Sequence, residues 1–291
     1  MREEQLRELI ATRVHRPGAI AEAATNRVRA SSLLGEHGRL MMIAADHPAR
    51  GALRAGERPV AMADRADLLE RLVLALSRPG VNGVLGTSDV LEDLLLLGAL
   101  DGKVVVGSMN RGGLAGTVFE MDDRFTGYDA AAIAAAGFEG GKMLTRIDPD
   151  DPTTVATLES CGHAVSDLAA HGLMAMVEPF ISHRVDGRVR NELTAEAMIR
   201  AQTVAAGLGR TSAHTWLKVP IVEEMERAMA ATTLPAVILG GEVGQDQDAT
   251  FASWAKALAL PTVQGLVIGR SLLYPPDDDV AAAVDAAVGL L

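Results

Sequence analysis

From Arg39 onward the chain repeats one pattern, a short apolar run followed by a longer stretch with apolar residues at helical spacing. Eight runs of strand length occur, at residues 40–45, 83–86, 104–107, 141–144, 173–177, 215–219, 236–239 and 265–268. Between them, residues 63–77, 91–97, 153–170, 195–206, 221–230 and 250–258 carry the helical period. This alternation marks strand, crossover and strand units on a parallel sheet. An open doubly wound sheet usually stops earlier, so eight units predict closure into a (β/α)8 TIM barrel, an α/β fold. Aromatic residues make up 3% of the chain against 48% hydrophobic, so the core must be built from Ala, Leu, Val, Ile and Met. Strands covered on both faces by helices suit that composition.

Residues 1–34 read as two helices ahead of the first strand, with Pro17 near the start of the second. They are placed to cap the bottom of the barrel or to join a subunit interface. No linker, low-complexity tract or repeat interrupts the pattern. Residues 1–291 therefore read as a single domain with the barrel over 39–291.

The formal net charge of -11 argues against nucleic acid or anionic lipid as partners, because both attract clustered Lys and Arg. A single cysteine, Cys161, excludes an internal disulfide and a cysteine-held metal cluster, which points to a reducing compartment. No apolar run resembles an export signal or spans a bilayer. The expectation is a cytoplasmic protein acting on a small molecule, with no membrane or nucleic-acid partner, as a homo-oligomer. The seven histidines are scattered without ligand spacing or an accompanying carboxylate cluster, so no metal and no cofactor are expected.

Barrel enzymes place their chemistry at the C-terminal ends of the strands. There the first run ends in Asp46-His47, the fourth holds Lys142, the fifth ends in Glu178 and the sixth holds Lys218. The seventh leads into Gly240-Gly241-Glu242 and the eighth into Gly269-Arg270. A lysine at the end of an apolar strand loses hydration, which favours the neutral amine that attacks a ketone. Lys218 is therefore the candidate nucleophile; the plainer alternative is a lysine that pairs with a neighbouring carboxylate. Lys142 would orient a substrate oxygen or assist proton transfer, or else serve as a partner for Glu178 or Asp46. Glu178 is a candidate general base, or an ion pair that only positions Lys218. Asp46 would bind a substrate hydroxyl or relay a proton, and His47 would do the same or cap the turn at Pro48.

Gly240, Gly241, Gly269 and Arg270 sit where barrels commonly hold phosphate, the glycines letting backbone N–H groups approach and Arg270 adding a charged fork. Glu242 beside the first pair is unfavourable for an anion unless it points away. The glycine-rich segment 109–128 is long enough to be a lid, with Arg111 meeting a substrate anion.

Taken together, Ala45-Asp46-His47, Gly141-Lys142, Val177-Glu178-Pro179-Phe180, Leu217-Lys218-Val219-Pro220, Leu239-Gly240-Gly241 and the run from Gly265 to Arg270 resemble the class I aldolases. That superfamily contains tagatose-bisphosphate aldolase, the archaeal-type fructose-bisphosphate aldolases and deoxyribose-phosphate aldolase. The resemblance covers about residues 39–274 and implies a barrel enzyme whose imine-forming lysine is Lys218, with Asp46, Lys142 and Glu178 lining the site. The archaeal-type enzymes place a tyrosine near the imine, and neither Tyr128 nor Tyr274 stands at a matching strand end, which favours the tagatose-type arrangement. Segment 110–128 resembles that of actinobacterial aldolase-like proteins associated with inositol breakdown. This resemblance implies cleavage of 5-dehydro-2-deoxygluconate 6-phosphate to dihydroxyacetone phosphate and malonic semialdehyde. Two other readings stay open: an isomerase or decarboxylase that forms no imine, and a non-catalytic sugar-phosphate sensor.

Overall fold

The computed structural model describes residues 3–241, 243–244 and 246–291; Glu242 lies outside the described residues. The strands are β1 (Leu40–Ala44), β2 (Gly83–Gly86), β3 (Val104–Ser108), β4 (Gly140–Ile147), β5 (Met174–Val185), β6 (Arg188–Asn191), β7 (Thr215–Val219), β8 (Ala236–Leu239) and β9 (Val263–Ile268). In space they run β4-β3-β2-β1-β9-β8-β7-β5, and β4 pairs with β5 to close the ring. All pairs in the ring are parallel, so the chain forms a (β/α)8 barrel. β6 lies outside the ring as the antiparallel return of a hairpin on β5.

The helices are α1 (Glu3–His15), α2 (Ala19–Asn26), α3 (Arg65–Ser77), α4 (Ser88–Leu96), α5 (Ala130–Ala135), α6 (Thr153–Ala170), α7 (Ala195–Ala206), α8 (Met225–Met229), α9 (Gln247–Leu258), α10 (Arg270–Leu273) and α11 (Val280–Val288). Several start where a short polar side chain takes up free backbone N–H groups: Asp64 at α3, Asp129 at α5, Thr194 at α7, Asp246 at α9 and Asp279 at α11. α8 is shorter than the helical period over 221–230 predicts, because Glu224 adopts a left-handed conformation (φ 54°) and the helix begins after it.

The period of two along each strand sorts the core into two parts. Met41, Ile43 and Ala45 face the helices, in a large cluster shared with Leu68, Leu72 and Leu91. Leu40, Met42 and Ala44 face the barrel axis, with Leu85, Val104, Val106, Met174, Met176, Val237 and Val267. Ala30, Leu33, Leu34 and Trp216 pack against this inner cluster at the N-terminal end of the strands. The predicted helical segment 1–34 is thus helical only to Asn26. The chain after it is pinned by Arg27, which donates to the carbonyls of Lys103 and Gly137 and pairs with Glu139.

Gly265 shows how tightly β9 meets β1. Its φ of 151° is poorly tolerated by L side chains, and a Cβ there would overlap the backbone of Leu40. Gly265→Ala is expected to destabilise the protein by more than about 3 kcal/mol, from strain and overlap together. Gly172→Ala, at φ 67° with open space around it, should lose only about 1 kcal/mol. Urea unfolding of the two variants checks the contrast, and equal losses would contradict it.

Candidate active site

The inward stripe of each strand starts apolar and turns polar toward the C-terminal end. On β1 it reads Leu40, Met42, Ala44 and then Asp46; on β4, Gly140, Lys142, Leu144 and Arg146; on β5, Met174, Met176, Glu178 and Phe180. Register fixes the heights. Ser108 pairs with Lys142, Leu144 with Glu178, and Val177 with Leu217, which puts Lys218 beside Glu178 one strand on.

The polar ends converge on one buried network. Glu178 Oε1 accepts a hydrogen bond from Lys218 Nζ at 2.6 Å, and its Oε2 makes an ion pair with Lys142 Nζ. Lys142 Nζ also reaches Asp46 Oδ2 at 3.2 Å. The same Asp46 oxygen takes the Arg111 guanidinium and the Ser108 hydroxyl, the latter at 3.3 Å. Arg111 Nε in turn donates to Ser108 Oγ at 3.0 Å. All five charged groups are buried.

Three cations, Lys142, Lys218 and Arg111, thus share two carboxylates, Asp46 and Glu178. Full ionisation would leave one uncompensated positive charge in a buried site, which is costly. Burial pushes both amines below the usual lysine range, Lys142 the further, and Arg111 and the other lysine add to the displacement at Lys142. Geometry separates the two. Lys142 lies between two carboxylates, whereas among the described residues Lys218 has one oxygen of Glu178. Burial works to raise the Glu178 carboxyl, but Lys142, Lys218 and Arg111 hold it well below the usual range, so it stays ionised.

The network forms the floor of a cavity of about 730 Å³ at the C-terminal mouth of the barrel. All ten residues singled out from the sequence line it: Asp46, His47, Arg111, Lys142, Glu178, Lys218, Gly240, Gly241, Gly269 and Arg270. His47 Nδ1 is buried 3.9 Å from Asp46 Oδ1 without a hydrogen bond. Burial, with Arg270 and Lys218 nearby, keeps its imidazole neutral. A Cβ on Gly269 would collide with the Ala44 carbonyl and with His47, and one on Gly240 would meet Ile268 at 2.7 Å. Arg270 draws these two loops together, donating to the Gly241 carbonyl at 3.2 Å and the Arg54 carbonyl at 3.3 Å.

Two expectations change in detail. Arg111 already has its donors on Asp46 and Ser108, so it holds Asp46 in place instead of presenting a free fork to a substrate anion. The segment 109–128 is an anchored wall. Asn110 pairs through its side-chain amide with the Leu144 backbone in both directions, at 2.6 and 2.7 Å, and Asp123 makes a forked pair with Arg146. Arg50 fixes the outer part through Glu120 at 3.1 Å and through its carbonyl to Ala115 N.

Sequence reasoning missed Arg50, Glu120, Arg146 and Arg190, which also line the cavity. Of the described lining residues, seven are Lys or Arg and three are Asp or Glu, in a chain of net charge -11. The mouth therefore attracts anions that the rest of the surface repels. Among the described residues, no group of three His, Cys, Asp or Glu side chains is placed to hold a metal ion. No helix of the described chain is long and apolar enough to cross a membrane.

A family model described as Cgl0159-like matches residues 38–288. The structure is similar to a crystal structure of Cgl0159 from Corynebacterium glutamicum (Brevibacterium flavum), with 53% identity, a TM-score of 0.97, and coverage of 100% of this chain and 97% of that one. It shares its fold with a Schiff-base-forming fructose-1,6-bisphosphate aldolase, at 17% identity and TM-score 0.66, covering 93% of this chain and 99% of that one. It also shares its fold with an archaeal fructose-1,6-bisphosphate aldolase whose catalytic lysine is covalently bound to the carbinolamine intermediate of the substrate. That match has 16% identity and a TM-score of 0.66 over 93% of this chain and 98% of that one. A search of the curated proteins finds no match.

Removing Asp46 leaves Arg111 and Lys142 short of a buried counter-charge. Asp46→Ala is expected to destabilise the fold by about 3–5 kcal/mol. The urea midpoint measures this, and a change under about 1 kcal/mol would mean that the network does not hold the site together.

Proposed function

The chain belongs to the Cgl0159-like family, and from the site geometry and the fold shared with Schiff-base-forming aldolases we propose that it is a class I aldolase cleaving a phosphorylated ketose or keto-deoxy sugar acid. Lys218 is the imine-forming residue. The observation that carries the reading is the buried pair of amines on one carboxylate, Lys218–Glu178–Lys142, at the floor of a cation-lined mouth. An isomerase or decarboxylase working by acid and base alone would not need a second buried amine with a depressed proton affinity.

In the proposed reaction the neutral Lys218 Nζ adds to the substrate ketone carbon, and the resulting carbinolamine loses water to give an iminium ion. The iminium nitrogen then stands where the ammonium would, against Glu178, so the buried carboxylate keeps a cationic partner. The hydroxyl on the carbon beyond the scissile bond gives its proton to Glu178. The carbon-carbon bond breaks, its electrons flow to the iminium as an enamine, and an aldehyde departs. Reprotonation of the enamine carbon and hydrolysis of the regenerated iminium release the ketone product and the free amine. Lys142 polarises the substrate oxygens while Arg111 and Ser108 hold Asp46 for a substrate hydroxyl.

The loops at Gly240-Gly241 and Gly269-Arg270 offer backbone donors to a phosphate, with the Arg270 guanidinium, held on the Gly241 and Arg54 carbonyls, as a nearby positive charge. The narrower reading, cleavage of 5-dehydro-2-deoxygluconate 6-phosphate, is supported by the likeness of segment 110–128 to inositol-linked aldolase-like proteins.

Borohydride reduction with dihydroxyacetone phosphate is expected to attach the triose to Lys218, as read by peptide mass spectrometry, and to attach nothing in Lys218→Ala. Attachment at Lys142 would reverse the assignment, and no attachment would sink the imine. The trapping rate should rise with pH and reach its plateau below the ordinary lysine range, because burial lowers the Lys218 amine. A rise continuing to pH 10.5 would contradict the depressed amine. Cleavage activity is expected to survive EDTA, and its loss would point to a metal enzyme.

A further inference from the structure

We propose that Arg190, on the β5–β6 hairpin, binds a second anionic group of the substrate, at the side of the mouth away from Gly240 and Gly269. This deepens the aldolase reading and rests on it for the chemistry in between. β5 does not stop at the barrel rim. It runs on to Val185, turns through Asp186 (φ 51°) and Gly187 (φ 73°), and returns as β6. Two successive left-handed residues make the tight turn that matches strand twist. The hairpin is held in register by pairing of His183 with Arg190 and Ser182 with Asn191, by the Ser182 hydroxyl on Asn191 Oδ1 at 2.8 Å, and by Glu192 N on the Ile181 carbonyl at 2.9 Å.

Arg190 differs from the other arginines over the floor. Arg50 is matched by Glu120, Arg111 by Asp46 and Arg146 by Asp123. Arg190 is exposed and lines the rim of the same cavity, and its guanidinium makes no hydrogen bond or ion pair among the described residues. A guanidinium without a counter-charge, carried at the cavity rim by an ordered hairpin backbone, is a fork for carboxylate or phosphate.

Its position defines the ligand. Round the ring the order is β5, β7, β8, β9, so Lys218 on β7 stands between the hairpin and the loops after β8 and β9. An anion at each side stretches the intervening carbons over the Lys218 amine. The substrate class is therefore a sugar derivative with charge at both ends, either two phosphates or one phosphate and one carboxylate.

Binding of unreactive probes tests this apart from catalysis. Calorimetry would compare a hexitol 1,6-bisphosphate, a hexitol 1-phosphate and 6-phosphogluconate, which lack a ketone and form no imine. The wild-type protein is expected to bind at least one doubly charged probe about tenfold or more tightly than the hexitol 1-phosphate. Arg190→Ala should abolish that preference and leave the singly charged probe within about twofold, and Arg190→Lys should restore part of it. The doubly charged probe that loses more identifies the second anion as phosphate or carboxylate. No preference in the wild type, no binding of any probe, or equal weakening of all probes in Arg190→Ala would each overturn the proposal. Failure of borohydride trapping alongside an intact, Arg190-dependent preference would sink the aldolase reading and leave the subsite standing.

Discussion

The Glu178 carboxylate, shared by Lys142 and Lys218, is the interaction around which the mouth of this barrel is arranged. Two amines cannot both remain charged in a buried site without sufficient anion, and Arg111 draws on the same small supply. One amine must therefore give up its proton readily. Lys142 is bracketed by Asp46 and Glu178 while Lys218 meets Glu178, and in the proposed reaction Lys218 is the group that changes state. Burial and charge count, more than any single contact, make this lysine different from a surface one.

The fold serves that arrangement in two ways. Parallel strands of matched register place Ser108, Lys142, Glu178 and Lys218 on adjoining inward stripes at nearby heights, above an apolar plug that keeps water out from below. The long connection after β3 closes the side of the site, since Asn110 pairs with the β4 backbone at Leu144 and Asp123 with Arg146. The surrounding excess of cations then gives an acidic protein a locally attractive entrance for anions.

Much of this was legible in the sequence. The alternation of short apolar runs with helical stretches specified the barrel, and three strand assignments match the structure to the residue: Gly83–Gly86, Thr215–Val219 and Ala236–Leu239. The ten candidate site residues were found because a polar side chain at the end of an apolar strand has few structural reasons to be there. What escaped has identifiable causes. The run ending at Leu144 stops one inward position short of Arg146, although β4 continues to Ile147. The hairpin was missed because the apolar run of the fifth strand ends at Val177 while β5 continues to Val185, even though Asp186-Gly187 is a strong turn signal. Arg50 and Glu120 meet only through contact between two distant loops, and no local pattern encodes that.

The most direct test is the titration of the lysine side chains themselves by NMR, with isotope-labelled lysine and single Lys→Arg variants for assignment. The Lys218 resonance, identified by its loss in Lys218→Arg, should titrate below the ordinary lysine range and move lower still in Glu178→Gln, where the carboxylate that favours its proton is gone. The absence of any low-titrating signal that is lost in Lys218→Arg, or two amines that both stay protonated beyond pH 10, would contradict the account.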